Sequence, residues 1–127
     1  MTQEELNEGD VFARMNGIRL TAMNRLWAAA EMVVTESHLN GAGVCQGGAI
    51  FTLADLSQAG LTQGKALTIG SSIEFLHACK LGDHLRAVSK MDSDGKLPSV
   101  RTEVSLADGT LVAVVTGRLY RKEPIVK

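Results

Sequence analysis

The residues best suited to chemistry lie between Ser37 and Gly64, in the stretch SHLNGAGVCQGGAIFTLADLSQAGLTQG. The stretch opens with polar and glycine residues, which form exposed turns that approach a ligand closely. It continues with a helical pattern that carries a single acid, Asp55. Because an aspartate can act as a general base or as a nucleophile, the stretch predicts an active-site loop that leads into a helix.

The predicted helix has two sides with different compositions. At about 100° per residue, one arc holds residues suited to packing on a sheet: Ile50, Leu53, Ala54, Ser57 and Leu61. The opposite arc holds small residues around one carboxylate: Thr52, Asp55, Ala59 and Thr62. Small residues beside an acid leave room for a substrate.

Gly47 and Gly48 fall at the predicted helix N-terminus, where unpaired N–H groups and the helix dipole stabilise a negatively polarised oxygen. This arrangement is typical of an oxyanion hole. Asp55 lies eight residues further on, or about 12 Å along the axis, whereas reacting groups must approach within about 3–3.5 Å. The two groups can therefore act together only if the acid comes from an antiparallel second copy, which predicts at least a two-fold dimer.

The chain resembles hotdog-fold acyl-CoA thioesterases of the phenylacetate-pathway, PaaI-like group. The residues that carry this resemblance span roughly 11–121 and comprise His38, Asn40, Gly43, Gly47-Gly48, Phe51-Thr52-Leu53-Ala54-Asp55, Ile73-Glu74-Phe75-Leu76, Leu81-Gly82-Asp83, Asp108-Gly109 and Leu111-Val112-Ala113. The resemblance implies an α+β hotdog fold, in which an antiparallel sheet wraps around one long helix. It also implies a homo-oligomer, either a dimer or a dimer of dimers.

The same resemblance implies roles for individual residues. Asp55 matches the catalytic base or nucleophile, Gly47 the N–H that polarises the thioester carbonyl, and Asn40 the residue that orients substrate or water. Thr68 aligns with a hydroxyl residue that assists in some members. Gln46 is also expected in the catalytic site, and Gly48, His38 and Phe51 are expected beside the substrate.

One position departs from the family pattern. The family usually has His-Gly-Gly, and this chain has Gln46 before the two glycines. Glutamine donates and accepts hydrogen bonds but carries no proton at neutral pH. If the usual histidine only orients the loop, catalysis survives the change; if it transfers a proton, the rate or the pH profile differs.

Several of these residues also have purely structural interpretations. Asn40 and Thr68 are ordinary residues of a turn and a strand, and the two glycines suit tight packing or positive φ. His38 fits a loop or strand end better than a catalytic role. Cys45 lies beside the glycines, but no sequence signature places a histidine partner next to it, so a buried packing role is preferred.

Composition excludes several classes of protein. The 127 residues, of which 45% are hydrophobic and 21% charged, suit one globular domain over residues 1–127. A net charge of −1 gives no electrostatic footprint for nucleic acid or an anionic membrane. Two cysteines without metal-type spacing predict no metal site and no disulfide framework, and fit a reducing cytoplasm. The longest apolar run is far too short to cross a membrane.

The remaining pattern places strands after the central helix. The apolar residues of the 2–15 segment, Leu6, Val11, Phe12 and Met15, predict one or two helical turns laid against the domain. Most of Ile18–Glu36 is predicted as strand, with Leu26, Ala28, Ala30, Met32 and Val34 on one face. Further strands are predicted over Thr68–Leu76, Leu85–Met91, Ser99–Ala107 and Thr110–Tyr120, the last two joined at Asp108-Gly109 as a hairpin.

The leading functional hypothesis is hydrolysis of an acyl-CoA thioester to a free acid and coenzyme A, with an aromatic or medium-chain acyl group. Coenzyme A is then part of the substrate, and no cofactor is expected. A hotdog hydratase or dehydratase is a weaker rival, because such enzymes pair an acid with a catalytic histidine and this loop has Gln46. A non-catalytic acyl-CoA-binding protein is a second rival, although a binder gains nothing from a desolvated carboxylate beside a thioester.

Overall fold

The computed structural model describes residues 1–122, and residues 123–127 lie outside the described part, so the assignment of 1–127 to one domain stays a prediction. The elements in chain order are α1 (Gln3–Gly9), α2 (Val11–Met15), β1 (Arg19–Met23), β2 (Trp27–Val33), a single 3₁₀ turn (Glu36–His38), α3 (Gly47–Leu61), β3 (Ala66–Phe75), β4 (His84–Ser93), β5 (Ser99–Leu106) and β6 (Leu111–Arg121).

The six strands form one antiparallel sheet in the order β1-β2-β4-β5-β6-β3. Helix α3 packs across its inner face, chiefly on β2 and β4. The predicted α+β class, with an antiparallel sheet around one long helix, is confirmed. The predicted hairpin is confirmed too: Gly109 adopts a φ of 93°, and the Asp108 carboxylate accepts a hydrogen bond from the Thr110 N–H.

The apolar side of α3 is buried as its periodicity predicts. All five residues of the predicted packing arc are buried: Ile50, Leu53, Ala54, Ser57 and Leu61. Of the opposite arc, Thr52, Asp55 and Ala59 are half-buried, whereas Thr62 is buried. The prediction for Thr62 is wrong because it caps the helix C-terminus, where its hydroxyl donates back to carbonyls of the last turn.

The N-terminal residues pack differently from the prediction. Thr2 caps α1, and Leu6 is buried against the domain. The side chains of Val11, Phe12 and Met15 are exposed, and Ala13 is the buried residue of α2. The helical turns predicted over residues 2–15 are confirmed, but of their four apolar residues only Leu6 is buried, because a helix of five residues turns only one narrow side toward the protein.

Residues 18–36 form two paired strands, with a turn between them. Ala28, Ala30, Met32 and Val34 are buried as predicted. Leu26 is exposed, and its place on the buried face is a wrong prediction. The cause is the side chain of Asn24, whose oxygen accepts hydrogen bonds from the N–H groups of Leu26 and Trp27 and thereby closes a turn before β2 begins.

The two edges of the sheet differ. The β1 edge is covered by α1, where the Asn7 side chain donates to the Leu20 carbonyl and accepts from the Leu20 N–H. Strand β3 pairs with β6 on one side, and no element of residues 1–122 covers its other side. Nearly all of its ten residues are exposed, including Leu67, Ile69 and Phe75. Long exposed apolar edges of this kind are uncommon in isolated chains.

Candidate active site

Gln46 caps the N-terminus of α3 through its backbone. Its carbonyl accepts from the N–H groups of Ala49 and Ile50, and its own N–H donates to the His38 carbonyl at 2.7 Å. The N–H groups of Gly47 and Gly48 have no acceptor within the described part of the chain. Two adjacent donors at the positive end of a 15-residue helix can stabilise a developing oxyanion.

The backbone before α3 is tied to two neighbouring segments. The Cys45 N–H donates to the Cys79 carbonyl at 2.7 Å, beside the Gln46–His38 hydrogen bond. These bonds fix the direction in which the chain enters the helix. The side chain of Gln46 is exposed and makes no capping hydrogen bond, so its fixed contribution comes from the backbone.

Asn40 builds the turn that precedes this entry. Its side-chain oxygen accepts from the N–H groups of Ala42 at 2.9 Å and Val44 at 3.3 Å, and Gly43 takes a φ of 80°. The structural interpretation of Asn40 is therefore realised. Its role in orienting substrate or water stays a prediction.

His38 lies buried before the Asn40 turn, and its ring is bonded to backbone groups on both sides. The ring is buried, its Nδ1 accepts from the Thr35 N–H at 2.9 Å, and its Nε2 lies 2.6 Å from the Asn16 carbonyl oxygen. An Nδ1 that accepts leaves the proton on Nε2, which donates to Asn16. Both ring nitrogens are thus engaged by backbone, which fits a supporting residue rather than one that transfers protons.

Asp55 lies two turns further along α3, opposite Thr68 on β3. The Thr68 hydroxyl donates to Asp55 Oδ1 at 3.0 Å. Burial raises the pKa of the Asp55 carboxyl above its ordinary value, against the opposing effect of the Thr68 hydrogen bond, and the negative charge of Asp10 adds to the rise. A half-buried carboxylate with a raised pKa is a stronger base than an exposed one.

The structure divides the predicted residues between two places on α3. Gln46, Gly47 and Gly48 lie at its first turn, and Asp55 and Thr68 lie together about 12 Å away along the axis. Phe51 lies between them, half-buried and packed against the core. One copy of the chain therefore does not bring the acid and the N–H donors to the same carbonyl.

Sequence reasoning missed two aromatic residues beside the glycines. A Cβ on Gly47 would meet Cζ of Phe75 at 2.9 Å, so the ring lies directly over this glycine. Phe12 of α2 lines a cavity that also contacts Gly48. Phe75 was visible as part of the family motif, but only the pairing of β3 with β6 places it against α3.

The surroundings of the two buried cysteines disfavour the nucleophilic thiolate form. Burial raises the pKa of the Cys45 thiol, and burial with nearby negative charge raises that of Cys79 to about 11. A raised pKa disfavours the thiolate, which is the nucleophilic form of cysteine. Among residues 1–122, no group of three or more His, Cys, Asp or Glu residues could hold a metal ion. No helix in this range has the length and apolar character needed to span a membrane.

Comparison with known proteins places the chain among acyl-CoA thioesterases. It is 32% identical over 118 residues to the acyl-coenzyme A thioesterase PaaI of Escherichia coli, covering 90% of this chain and 84% of that protein. The chain belongs to the PaaI-like family. A second relative, an esterase predicted in Archaeoglobus fulgidus, is 35% identical over 123 residues, covering 94% of this chain and 80% of the relative. No protein-family profile matches the chain.

Solved structures confirm the hotdog fold of this PaaI-like thioesterase. The structure of E. coli PaaI superposes with a TM-score of 0.89 at 27% identity, covering 98% of this chain and 93% of that one. A Streptococcus mutans protein bound to acetyl-CoA superposes with a TM-score of 0.76 at 27% identity, covering 81% and 86%. The prediction of a thioester hydrolase is confirmed by these relatives, while the roles of the individual site residues stay predictions.

Proposed function

We propose that this protein hydrolyses an acyl-CoA thioester at a site shared by two copies of the chain. In each site the Gly47 N–H of one copy polarises the thioester carbonyl. Asp55 of the other copy activates water or attacks the carbonyl carbon. The proposal depends on one observation: the unpaired N–H donors lie at the first turn of α3 and the Asp55 carboxylate lies about 12 Å further along the same helix. Within one copy these groups are too far apart to act on the same carbonyl.

The free edge of β3 supplies the surface on which a second copy fits. A second β3 running antiparallel beside the first extends the sheet and buries Leu67 and Ile69 of both copies. A two-fold axis at this edge also sets the two α3 helices antiparallel, so that the first turn of one faces Asp55 of the other. The β1 edge offers no such surface, because Asn7 and Gln3 already bond to Leu20 there.

Coenzyme A enters this proposal as part of the substrate. The E. coli relative is an acyl-CoA thioesterase, and the S. mutans structure holds acetyl-CoA. Both support an acyl-CoA substrate for this chain. The rival hydratase needs an imidazole beside the carboxylate, but the ring of His38, the histidine nearest the loop in sequence, is already bonded to backbone on both sides. A pure binder would retain the desolvated Asp55 carboxylate at a cost and without benefit.

The first test measures thiol release from a panel of acyl-CoA thioesters by wild type and Asp55→Ala. Removal of a general base or nucleophile should lower kcat by about two or more orders of magnitude. Retention of activity within tenfold would remove Asp55 from the mechanism. If the wild type binds acyl-CoA but releases no thiol from any thioester, the acyl-CoA-binding alternative would be favoured.

The second test distinguishes a shared site from a site within one chain. Asp55→Ala and Gly47→Pro are each expected to be nearly inactive, and a mixed dimer of the two holds one intact site. Random mixing yields mixed dimers as about half of the total, so about a quarter of the wild-type activity returns. The matched control mixes Asp55→Ala with the double variant Asp55→Ala/Gly47→Pro, which contains no intact site. No recovery beyond this control would contradict the shared site.

A further inference from the structure

A cavity of about 380 Å³ opens beside the first turn of α3. Its walls come from α2 and the residues just after it, from the 3₁₀ turn, and from the start of α3 with its cap residue. The lining residues are Phe12, Asn16, Ile18, Ser37, His38, Gln46, Gly48, Ala49 and Thr52. Gln46 and Gly48 flank the Gly47 N–H in the chain. A thioester carbonyl held by that N–H would therefore lie close to the cavity.

The cavity is suited to an uncharged group. None of its lining residues is Asp, Glu, Lys or Arg, and Phe12, Ile18 and Ala49 supply apolar surface. Several of its polar groups are already used within the protein. The Thr52 hydroxyl donates to the Gly48 carbonyl at 2.8 Å, and both ring nitrogens of His38 are bonded to backbone. No lining side chain carries a charge that would pair with a charged acyl group.

Phe12 forms the outer wall and is 67% exposed. Its position is fixed from both ends of α2. The Asp10 carboxylate accepts from the Ala13 N–H at 3.1 Å, and the Asn16 amide donates to the Phe12 carbonyl at 2.7 Å. These bonds fix the backbone at Phe12, and its aromatic ring offers a large apolar surface to a neighbouring group.

We propose that this cavity binds the acyl group of the thioester and that Phe12 determines acyl specificity. The inference rests on the proposed function and deepens it. An uncharged acyl group longer than acetyl enters the cavity and covers the ring of Phe12. A dicarboxylic acyl group is disfavoured, because no lining residue carries a positive charge to pair with its free carboxylate.

The decisive experiment compares kcat/KM for acetyl-, hexanoyl-, phenylacetyl- and succinyl-CoA in wild type and Phe12→Ala. We expect the wild type to prefer the two larger uncharged groups. Loss of the ring should lower the hexanoyl-to-acetyl and phenylacetyl-to-acetyl ratios by about tenfold or more, the scale of a lost apolar contact in a specificity pocket. Met15→Ala is the matched control, because Met15 is exposed on the same helix but does not line the cavity.

A second variant approaches the cavity from the opposite wall. Ala49→Leu fills space at the first turn of α3 and should lower the same ratios in the same direction. Ratios within twofold of wild type in both variants, or preference for succinyl-CoA in the wild type, would overturn the inference.

Binding of a non-hydrolysable thioether separates this inference from the proposed hydrolysis. The affinity gained by S-hexyl-CoA over free coenzyme A measures the acyl subsite without any chemistry. Phe12→Ala should remove most of that gain, and Met15→Ala should keep it. If Asp55→Ala retains activity while the Phe12-dependent gain is present, the proposed mechanism fails and the subsite stands. If hydrolysis depends on Asp55 but the gain is independent of Phe12, the subsite fails and the mechanism stands.

Discussion

The two sides of α3 differ in how their polar groups are satisfied. On the buried side, Ser57 and Gln58 join a closed hydrogen-bond network with two strands of the sheet. The Ser57 hydroxyl bonds to that of Ser89, which lies 2.6 Å from the Thr102 hydroxyl, and the Gln58 amide donates to Thr102 at 2.9 Å. All four side chains are buried.

The open side of the same helix leaves its polar groups available. The Gly47 and Gly48 N–H groups have no acceptor within residues 1–122, and the Asp55 carboxylate has a single side-chain donor, Thr68. Its pKa is raised by burial. These groups retain the bonding capacity that a substrate and a second copy of the chain would use.

The contrast indicates that the buried network fixes the orientation of α3 and thereby positions the polar groups on its open side. Polar groups in a core stabilise a unique arrangement only if every partner is in place. Gly117 leaves room for this arrangement, because a Cβ there would collide with Gln58 Oε1. Changes on the open side should therefore alter rates, and changes on the buried side should alter stability.

The largest effect is expected from Gly47→Pro. Proline is well tolerated at the first position of a helix and lacks the N–H, and the φ of −59° and ψ of 133° at Gln46 suit a residue before proline. Loss of one oxyanion donor should lower kcat by about 10²–10³-fold. Gly47→Ala is the control, since it adds the same Cβ beneath Phe75 but keeps the N–H. Equal losses in both variants would assign the effect to crowding by the Cβ.

A change on the buried side of α3 should lower stability rather than the catalytic rate. Thr102→Val keeps the shape of the side chain but leaves the Gln58 amide without its acceptor, which should lower the free energy of unfolding by about 1–3 kcal/mol. Thermal unfolding at a fixed protein concentration measures the loss. Thr116→Val on exposed β6 surface is the control, expected within about 0.5 kcal/mol of wild type. An unchanged melting temperature in Thr102→Val would show that the network contributes little.

The pH profile should distinguish Thr68 from an ordinary strand residue. In the proposed mechanism Asp55 acts in its ionised form, so kcat/KM should fall as the pH drops through its pKa. The Thr68 hydroxyl lowers that pKa by stabilising the carboxylate. In Thr68→Val the pKa rises further, and the acid limb of kcat/KM should move to higher pH. If the acid limb stays in place or moves to lower pH, it does not report the ionisation of Asp55.

The smallest effect is expected from Gln46→Ala. The position caps α3 through its backbone, and its exposed side chain makes no capping hydrogen bond. Since glutamine transfers no proton, kcat should fall by less than about tenfold, below the 10²–10⁴-fold scale of general acid–base catalysis. Because Gln46 lines the acyl cavity, the change should appear mainly in KM. A hundredfold loss of kcat would place the amide in contact with the reacting atoms.

The sequence predicted those parts of the fold that follow from local periodicity. The 3.6-residue pattern identified the buried side of α3, and the Asp108-Gly109 turn located the β5–β6 hairpin, because backbone geometry repeats at fixed intervals along the chain. Leu26, Val11 and Phe12 were misplaced. Hydrophobicity alone does not tell whether an apolar side chain near a turn or in a short helix reaches the core.

By itself the sequence determined that a glycine pair precedes a helix with one acid, and that the fixed helical rise separates them too far for one site. Only the tertiary structure brought Thr68 to Asp55, laid Phe75 over Gly47 and set Phe12 opposite Gly48. Each of these contacts joins segments distant in the chain, and strand order and register decide which distant residues meet. The free β3 edge follows from the same cause, since a strand is an edge only relative to the whole sheet.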